Sequence, residues 1–160
     1  MQLGGRGVFF YPDGLGAREA VAFAARQQAF LASIEHQMAL LGEALGDDGR
    51  REALLDAAVG DGRLLRAVYL LDRQGHVLAA GVAPAMRGRR HELVGADLSR
   101  LPLLRVPAQA GGPLWGDQFA SPITGESTVG MLQVMAGGRL LLAELPLPML
   151  LQMARAPAAA

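Results

Sequence analysis

The longest hydrophobic pattern in the chain runs through residues 17–45. Its apolar members recur at intervals of three, four or seven residues: Phe23, Phe30, Ile34, Met38, Leu41 and Leu45. This spacing predicts one amphipathic helix, and Gly46 is typical of a position just after a helix end. At about 43 Å the helix would be longer than a compact core of this size needs. It either lines the core alone or, over part of its length, pairs with a second copy or continues toward a membrane anchor.

Shorter patterns complete the N-terminal part of the chain. Residues 1–16 contain five glycines and Pro12, which predicts a flexible tail. Residues 50–59 carry the apolar face of a second, shorter helix, and the glycines around Asp61 end it. We therefore expect a helical segment over residues 17–60.

Residues 61–150 alternate between β-prone runs and turns. The runs LLRAVYLL and HVLAAG flank a polar break at 72–75 and predict an antiparallel hairpin. Three further strands are predicted at PLWGDQFASPI, STVGMLQVMA and RLLLAELPL, the last two joined by a tight Gly-Gly turn. Residues 95–110 contain two prolines, so any helix there is short. The pattern predicts an α+β fold, a five-stranded antiparallel sheet with a long N-terminal helix, and a C-terminal tail at 151–160.

Composition narrows the range of functions. The chain has 160 residues, 15 basic and 15 acidic side chains and no cysteine. Zero net charge disfavours nucleic acid as a partner, because no basic excess is present to neutralise phosphates. The lack of cysteine excludes disulfides, zinc–thiolate sites and thiol nucleophiles. The sequence also lacks a run of about 18 apolar residues that would span a membrane.

Motifs of enzymes and metal sites are missing from the sequence. It has no glycine-rich nucleotide-binding motif, no phosphate-binding lysine and no GxSxG element. The stretch HELVG begins like a zinc-protease helix, but Gly95 stands where the second histidine is required. We therefore predict no enzymatic activity, no metal and no cofactor. The arginines at 87, 89 and 90 are expected to form a solvated surface loop.

A small-molecule site is predicted around the proline-containing segment. Arg105 is an isolated cation in an apolar run and is suited to bidentate capture of a carboxylate. Trp115 and Asp117 are two residues apart on a predicted strand, which places them on one face. Tyr69 lies on a strand expected nearby and supplies an aromatic wall. The alternative is that Trp115 anchors the core and Arg105 extends into solvent.

Several motifs occur in an order that resembles a known family. LLDRQGHVLA, VGADLSRLP and WGDQFASPITGESTV, followed by the hairpin that closes on LLLAELPL, are similar to the Cache domains. These are PAS-like sensor modules on the outer face of bacterial receptors. The resemblance covers residues 64–150, and the long preceding helix also fits the family plan.

The resemblance implies a PAS-like sheet and a function without catalysis. It suggests a periplasmic input domain of a histidine kinase, a diguanylate cyclase or phosphodiesterase, or a chemoreceptor. Such a domain has flanking transmembrane helices and a cytoplasmic output domain, and it binds a small metabolite such as a carboxylate or an amino acid. The binding residues would be Arg105, Trp115, Asp117 and Tyr69, and the long helix would be the surface of a homodimer.

A second interpretation is a roadblock-type or longin-like dimerisation module. Such modules also place a hairpin like VYLLDRQGHVLA over a helix. They require a long amphipathic helix after residue 95, where this sequence has Pro102 and Pro107. The region after residue 95 therefore separates the two interpretations.

Overall fold

The structure, a computed structural model, describes residues 2–4, 7–9, 12–46, 49–105 and 113–153. Helix α1 spans Ala17–Ala44 and helix α2 spans Arg51–Val59, as predicted. The C-terminal helix α4 spans Leu147–Met153. Residues 154–160, the rest of the predicted C-terminal tail, lie outside the described residues.

The N-terminal segment differs from the predicted flexible tail. Two short strands, β1 (Gln2–Gly4) and β2 (Gly7–Phe9), pair antiparallel. Gly4 pairs with Gly7 where the two strands lie closest to their connection. A glycine-rich composition therefore did not exclude strand pairing here.

The predicted five-stranded sheet is confirmed. Its strands are β3 (Ala67–Leu71), β4 (Val77–Val82), β5 (Leu114–Ala120), β6 (Ser127–Val134) and β7 (Leu140–Pro146). They lie in the order β4-β3-β7-β6-β5, and all neighbours are antiparallel. The connection between β6 and β7 turns at Gly137 and Gly138, both with φ of +81°, which glycine adopts without a steric penalty. The class is α+β, as the sequence predicted.

Each face of the sheet has a different cover. One face packs against α1, α2 and α4 through a cluster that includes Ile34, Met38, Leu55 and Leu141. The other face packs against the segment between β4 and β5, whose described part, residues 83–105, we call the lid. The lid contains 3₁₀ turns at Pro84–Glu92 and the four-residue helix α3 at Pro102–Arg105.

Of the three arginines predicted to form a solvated loop, Arg87 and Arg89 are half-exposed, but Arg90 is not. The side chain of Arg90 is only 12% exposed, and its Nη2 donates to Asp56 Oδ2 at 2.8 Å. Asp56 Oδ1 accepts the backbone N–H of Val82 at 2.9 Å. Asp56 on α2 thus holds both the lid and strand β4. No local pattern predicts this pairing, because 34 positions separate the two side chains.

Helix α2 lies directly on strand β4 at Gly81. A β-carbon at this position would overlap the backbone carbonyl group of Leu55. Strand and helix backbones approach this closely only where one residue has no side chain. Gly81 is therefore required for the packing of α2.

We expect Gly81→Ala to lower the free energy of unfolding by about 1–3 kcal/mol, because the added methyl group forces α2 away from the sheet. Gly88→Ala in the lid is the matched control, since no atom lies within 4 Å of its added β-carbon. Urea unfolding of both variants measures the difference. Equal losses would contradict the close approach.

Candidate functional site

The structure does not bring the four predicted site residues together. Tyr69 is fully buried on the lid side of the sheet. Trp115 is 3% exposed and belongs to the cluster on the helix side. Arg105 ends α3 and is exposed, and the side chain of Asp117 lies outside the described residues. Tyr69 and Trp115 therefore cannot line one pocket in this arrangement.

A β-bulge explains why strand alternation failed around Trp115. Trp115 pairs with Met131, whereas Gln118 pairs with Val129. A step of three residues on β5 thus lies opposite a step of two on β6, and alternation cannot be followed across such a bulge. The expectation that Trp115 and Asp117 project together stays a prediction, since the side chain of Asp117 lies outside the described residues. The indole nitrogen of Trp115 is buried without a hydrogen-bond partner, as in a side chain packed for its apolar area.

The lid packs tightly on the sheet at α3. A β-carbon on Gly116 would lie 3.0 Å from Leu103, and one on Gly130 would lie 3.1 Å from the same side chain. Leu103 thus occupies the space left by two glycines on neighbouring strands. In this arrangement the sheet face beneath α3 is filled by the lid itself.

The main polar feature of the lid side is a buried carboxyl group on β7. Glu144 Oε1 accepts the Tyr69 hydroxyl at 2.9 Å, and Glu144 Oε2 accepts the Ser121 hydroxyl at 2.9 Å. Glu144 is fully buried, between Ala67 on β3 and Gly130 on β6. Both neighbours are small, so the carboxyl group meets side chains from more distant positions. We call Tyr69, Ser121 and Glu144 the carboxyl cluster.

Ser121 joins the carboxyl cluster to the turn that follows β5. Its hydroxyl oxygen accepts the backbone N–H groups of Ile123 and Thr124, each at 3.3 Å. The turn is closed by backbone hydrogen bonds between Ser121 and Glu126 and between Gly125 and Ser121. The Ser121 hydroxyl thus accepts hydrogen bonds from the N–H groups of the turn and also donates to the carboxyl group of Glu144 on β7.

Sequence reasoning identified Tyr69 but missed Glu144 and Ser121. The available signal was a single acidic residue inside the apolar run LLLAELPL. A charged residue in a strand buried on both faces is rarely left without partners, and such a residue often marks a site. Ser121 carried no comparable signal, because serine is common in turns.

Burial dominates the electrostatics of the cluster. The pKa of Glu144 is raised from 4.5 to about 7, mainly because the carboxyl group loses its hydration and to a smaller extent because Glu126 is negatively charged. The hydrogen bonds from Ser121 and Tyr69 act in the opposite direction. Burial, and then the charge of Glu144, also raise the pKa of the Tyr69 hydroxyl far above its usual range. Tyr69 is therefore a neutral donor, and Glu144 is the group that titrates near neutral pH.

The other candidate sites in the described residues do not combine burial with several converging polar groups. A surface groove of about 490 Å³ lies between residues 12–15 and the first turns of α1, away from the lid. Within the described residues, no three His, Cys, Asp or Glu side chains are grouped so as to hold a metal ion. The carboxyl cluster is therefore the candidate site that combines burial, polar convergence and a perturbed acid.

Solved structures with a similar fold include ligand-binding domains of bacterial chemoreceptors. The ligand-binding domain of the Campylobacter jejuni chemoreceptor Tlp3, in complex with 4-methylisoleucine, matches with a TM-score of 0.64 and 12% identity over 85% of this chain and 60% of that one. The corresponding domain of the Pseudomonas fluorescens chemoreceptor CtaA, in complex with L-alanine, matches with a TM-score of 0.62 and 15% identity. This match also covers 85% of this chain and 60% of that one. An extracellular ligand-binding receptor from Desulfohalobium retbaense matches with a TM-score of 0.62 and 12% identity, over 87% of this chain and 27% of that one.

These matches confirm the predicted resemblance at the level of the fold. The chain has the Cache-like fold of chemoreceptor ligand-binding domains, and it spans between about a quarter and three fifths of the structures named above. No protein-family model and no curated protein matches its sequence. The roadblock-type alternative is not favoured, because the described residues 95–105 contain only the four-residue α3.

We expect the stability of the chain to fall as the pH rises from about 4.5 to about 7. In this window Glu144 keeps its proton in the native state and has lost it in the unfolded state, so unfolding releases a proton. The loss amounts to about 3 kcal/mol. Urea unfolding across pH measures it, and Glu144→Gln should remove this part of the dependence. The control Glu126→Gln, at a half-exposed carboxylate, should retain most of this pH dependence of stability. If the stability of wild type and of Glu144→Gln depended on pH in the same way, Glu144 would not be the group responsible.

Proposed function

We propose that this chain is the extracytoplasmic input domain of a membrane-bound signal-transduction protein and that it senses a small molecule without catalysing a reaction. The observation that carries the proposal is the fold shared with chemoreceptor ligand-binding domains. The buried carboxyl cluster beneath a separate lid supports it. No helix in the described part of the chain has both the length and the apolar character to cross a membrane. The proposal includes flanking transmembrane helices and a cytoplasmic output domain.

The ligand in this proposal is a small carboxylate or an amino acid, held between lid and sheet. Leu103 lies against the sheet, so binding requires α3 to separate from β5 and β6. Arg105 at the end of α3 would then turn to the ligand carboxylate and bind it through two N–H groups. Tyr69 contributes from the sheet, whereas Trp115 supports β5 from the helix side. Asp117 remains a prediction, since its side chain lies outside the described residues.

Signalling would follow from a shift between two lid positions. A ligand that binds the open form better than the closed form changes their populations by its differential affinity. Helix α1 packs on the opposite face of the same sheet, so a change in strand packing reaches it directly. A small shift of α1 would then pass the signal to an output domain, whether a histidine kinase, a cyclic-dinucleotide enzyme or a chemoreceptor signalling region.

The exposed side of α1 supports pairing with a second copy. Apolar or small residues and one histidine recur there every three or four positions: Val21, Ala25, Ala29, Ala32, His36 and Leu40. Val21 is 72% exposed and Leu40 is 53% exposed. Small residues at this spacing allow two helices to approach closely along one seam. We therefore propose a homodimer formed through this side of α1.

A thermal-shift screen with small carboxylates and amino acids tests the sensing proposal. A ligand at 100 times its Kd stabilises the native state by about 2.7 kcal/mol, which raises Tm by about 5–10 °C for a domain of this size. Arg105→Ala should abolish this shift and leave the Tm of the free protein within about 1–2 °C, because the side chain is exposed. Arg100→Ala, another exposed lid arginine, is the control. Equal shifts in both variants would remove Arg105 from the site.

Sedimentation velocity over a range of concentrations tests the dimer. Ala32→Arg places a charge at the centre of the seam and should raise the dimer Kd at least about tenfold. Gln37→Arg, at the margin of the exposed side, is the control and should change the Kd little. A wild-type chain that sediments as a monomer at every concentration, or an unchanged Kd in Ala32→Arg, would contradict the interface.

A further inference from the structure

The hydrogen bonds to Glu144 come from neutral hydroxyl groups. Two arginines on the elements around the cluster have other partners: Arg66 lies 3.5 Å from Glu126 and donates to the Gly62 carbonyl oxygen, and Arg89 donates to Glu92. Glu126 is itself acidic and cannot neutralise a second carboxylate. A buried carboxylate without a cation is unfavourable, and such a group normally takes up a proton instead.

The carboxyl cluster is connected to the lid through the turn 121–126. Ser121 contacts Glu144 on one side and the N–H groups of the turn on the other. Ile123, within that turn, places its side chain in the lid-side core, and its carbonyl oxygen accepts Arg89 Nη1 from the lid at 2.9 Å. The next residue, Arg90, is held by Asp56 on α2. A change at Glu144 therefore reaches the lid through one short turn.

We propose that Glu144 is a proton-binding site through which the domain responds to the acidity of its surroundings. With the proton bound, the neutral carboxyl group remains buried and the turn 121–126 stays packed against sheet and lid. When the proton is lost, the carboxylate requires water, and the turn is the element that gives way because Ser121 is its direct partner. The contact from Ile123 to Arg89 then weakens and the lid loosens. This inference deepens the proposed sensing function and rests on it, with a proton as a stimulus beside or in place of a metabolite.

Tyr69 and Glu126 set the proton affinity from opposite directions. The Tyr69 hydroxyl favours the carboxylate by donating to it, whereas the negative charge of Glu126 disfavours the carboxylate. Removing either group should shift the titration midpoint of Glu144, while the Glu144 carboxyl group itself remains present. The direction of each shift is specific to the proposed arrangement, since a group of merely structural importance would change stability but not the midpoint.

Carbon-detected NMR of the full chain tests the site. In wild type, the side-chain carboxyl carbon of Glu144 should titrate near pH 7, and the methyl signals of Leu103 and Ile123 should follow with the same midpoint. In Glu144→Gln, which resembles the protonated form, these methyl signals should be independent of pH and lie at their acidic positions. Tyr69→Phe should raise the midpoint and Glu126→Gln should lower it. Ser121→Ala should uncouple the two readouts, so that Glu144 still titrates while the Leu103 methyl groups respond less.

Titration of Glu144 in the range of an ordinary glutamate would overturn the proposal, as would methyl signals of Leu103 and Ile123 that still titrate in Glu144→Gln. Either result leaves the metabolite screen unaffected, because that screen depends on Arg105 and the lid. A negative metabolite screen together with the expected titration would assign the sensing function to the proton. The two proposals therefore fail separately.

Discussion

The central strands of the sheet are buried on both faces, and most of the architecture follows from this constraint. Every residue of β3 and of β7 is buried. An apolar strand with two buried faces needs a cover on each side, since water would otherwise meet large aliphatic side chains. Helices α1, α2 and α4 supply one cover and the lid supplies the other. The lid is therefore part of the core and not merely a connection between β4 and β5.

The two covers are attached to the sheet by different physical means. Helix α2 approaches strand β4 at Gly81, where no side chain separates the two backbones. At α3 the lid contacts the sheet through Leu103, set against Gly116 and Gly130. Nearer β4 it is held by backbone hydrogen bonds of Gly95 and Ala96 to Val77 and by the ion pair between Arg90 and Asp56. The proposed separation of α3 from the sheet would leave these contacts near β4 in place.

Glu144 is a buried acidic residue in this otherwise apolar surrounding. Its presence is the reason for placing the candidate functional site on the lid side of the sheet. The position pairs with Ala67 and Gly130 and lies in a strand whose other residues are apolar. A carboxyl group there lowers the stability of the native state wherever it is ionised. Buried acids with a strongly shifted pKa are typical of functional sites, where the gain or loss of a proton has a role. Its raised pKa and its connection to the lid through Ser121 and Ile123 support the same interpretation.

The sequence by itself determined the α+β class, two helices predicted at 17–45 and 50–59, the five strands and the Gly-Gly turn, because helical spacing, β-prone runs and turn glycines are local properties of the chain. It also contained the order of motifs that resembles Cache domains. The tertiary structure alone decided that Trp115 faces the helices, that Arg90 is paired and that Ser121 meets Glu144. A bulge changes the side on which a strand residue points, and the paired groups lie 34 and 23 positions apart. Contacts between such distant positions depend on how the elements pack, which no local pattern specifies.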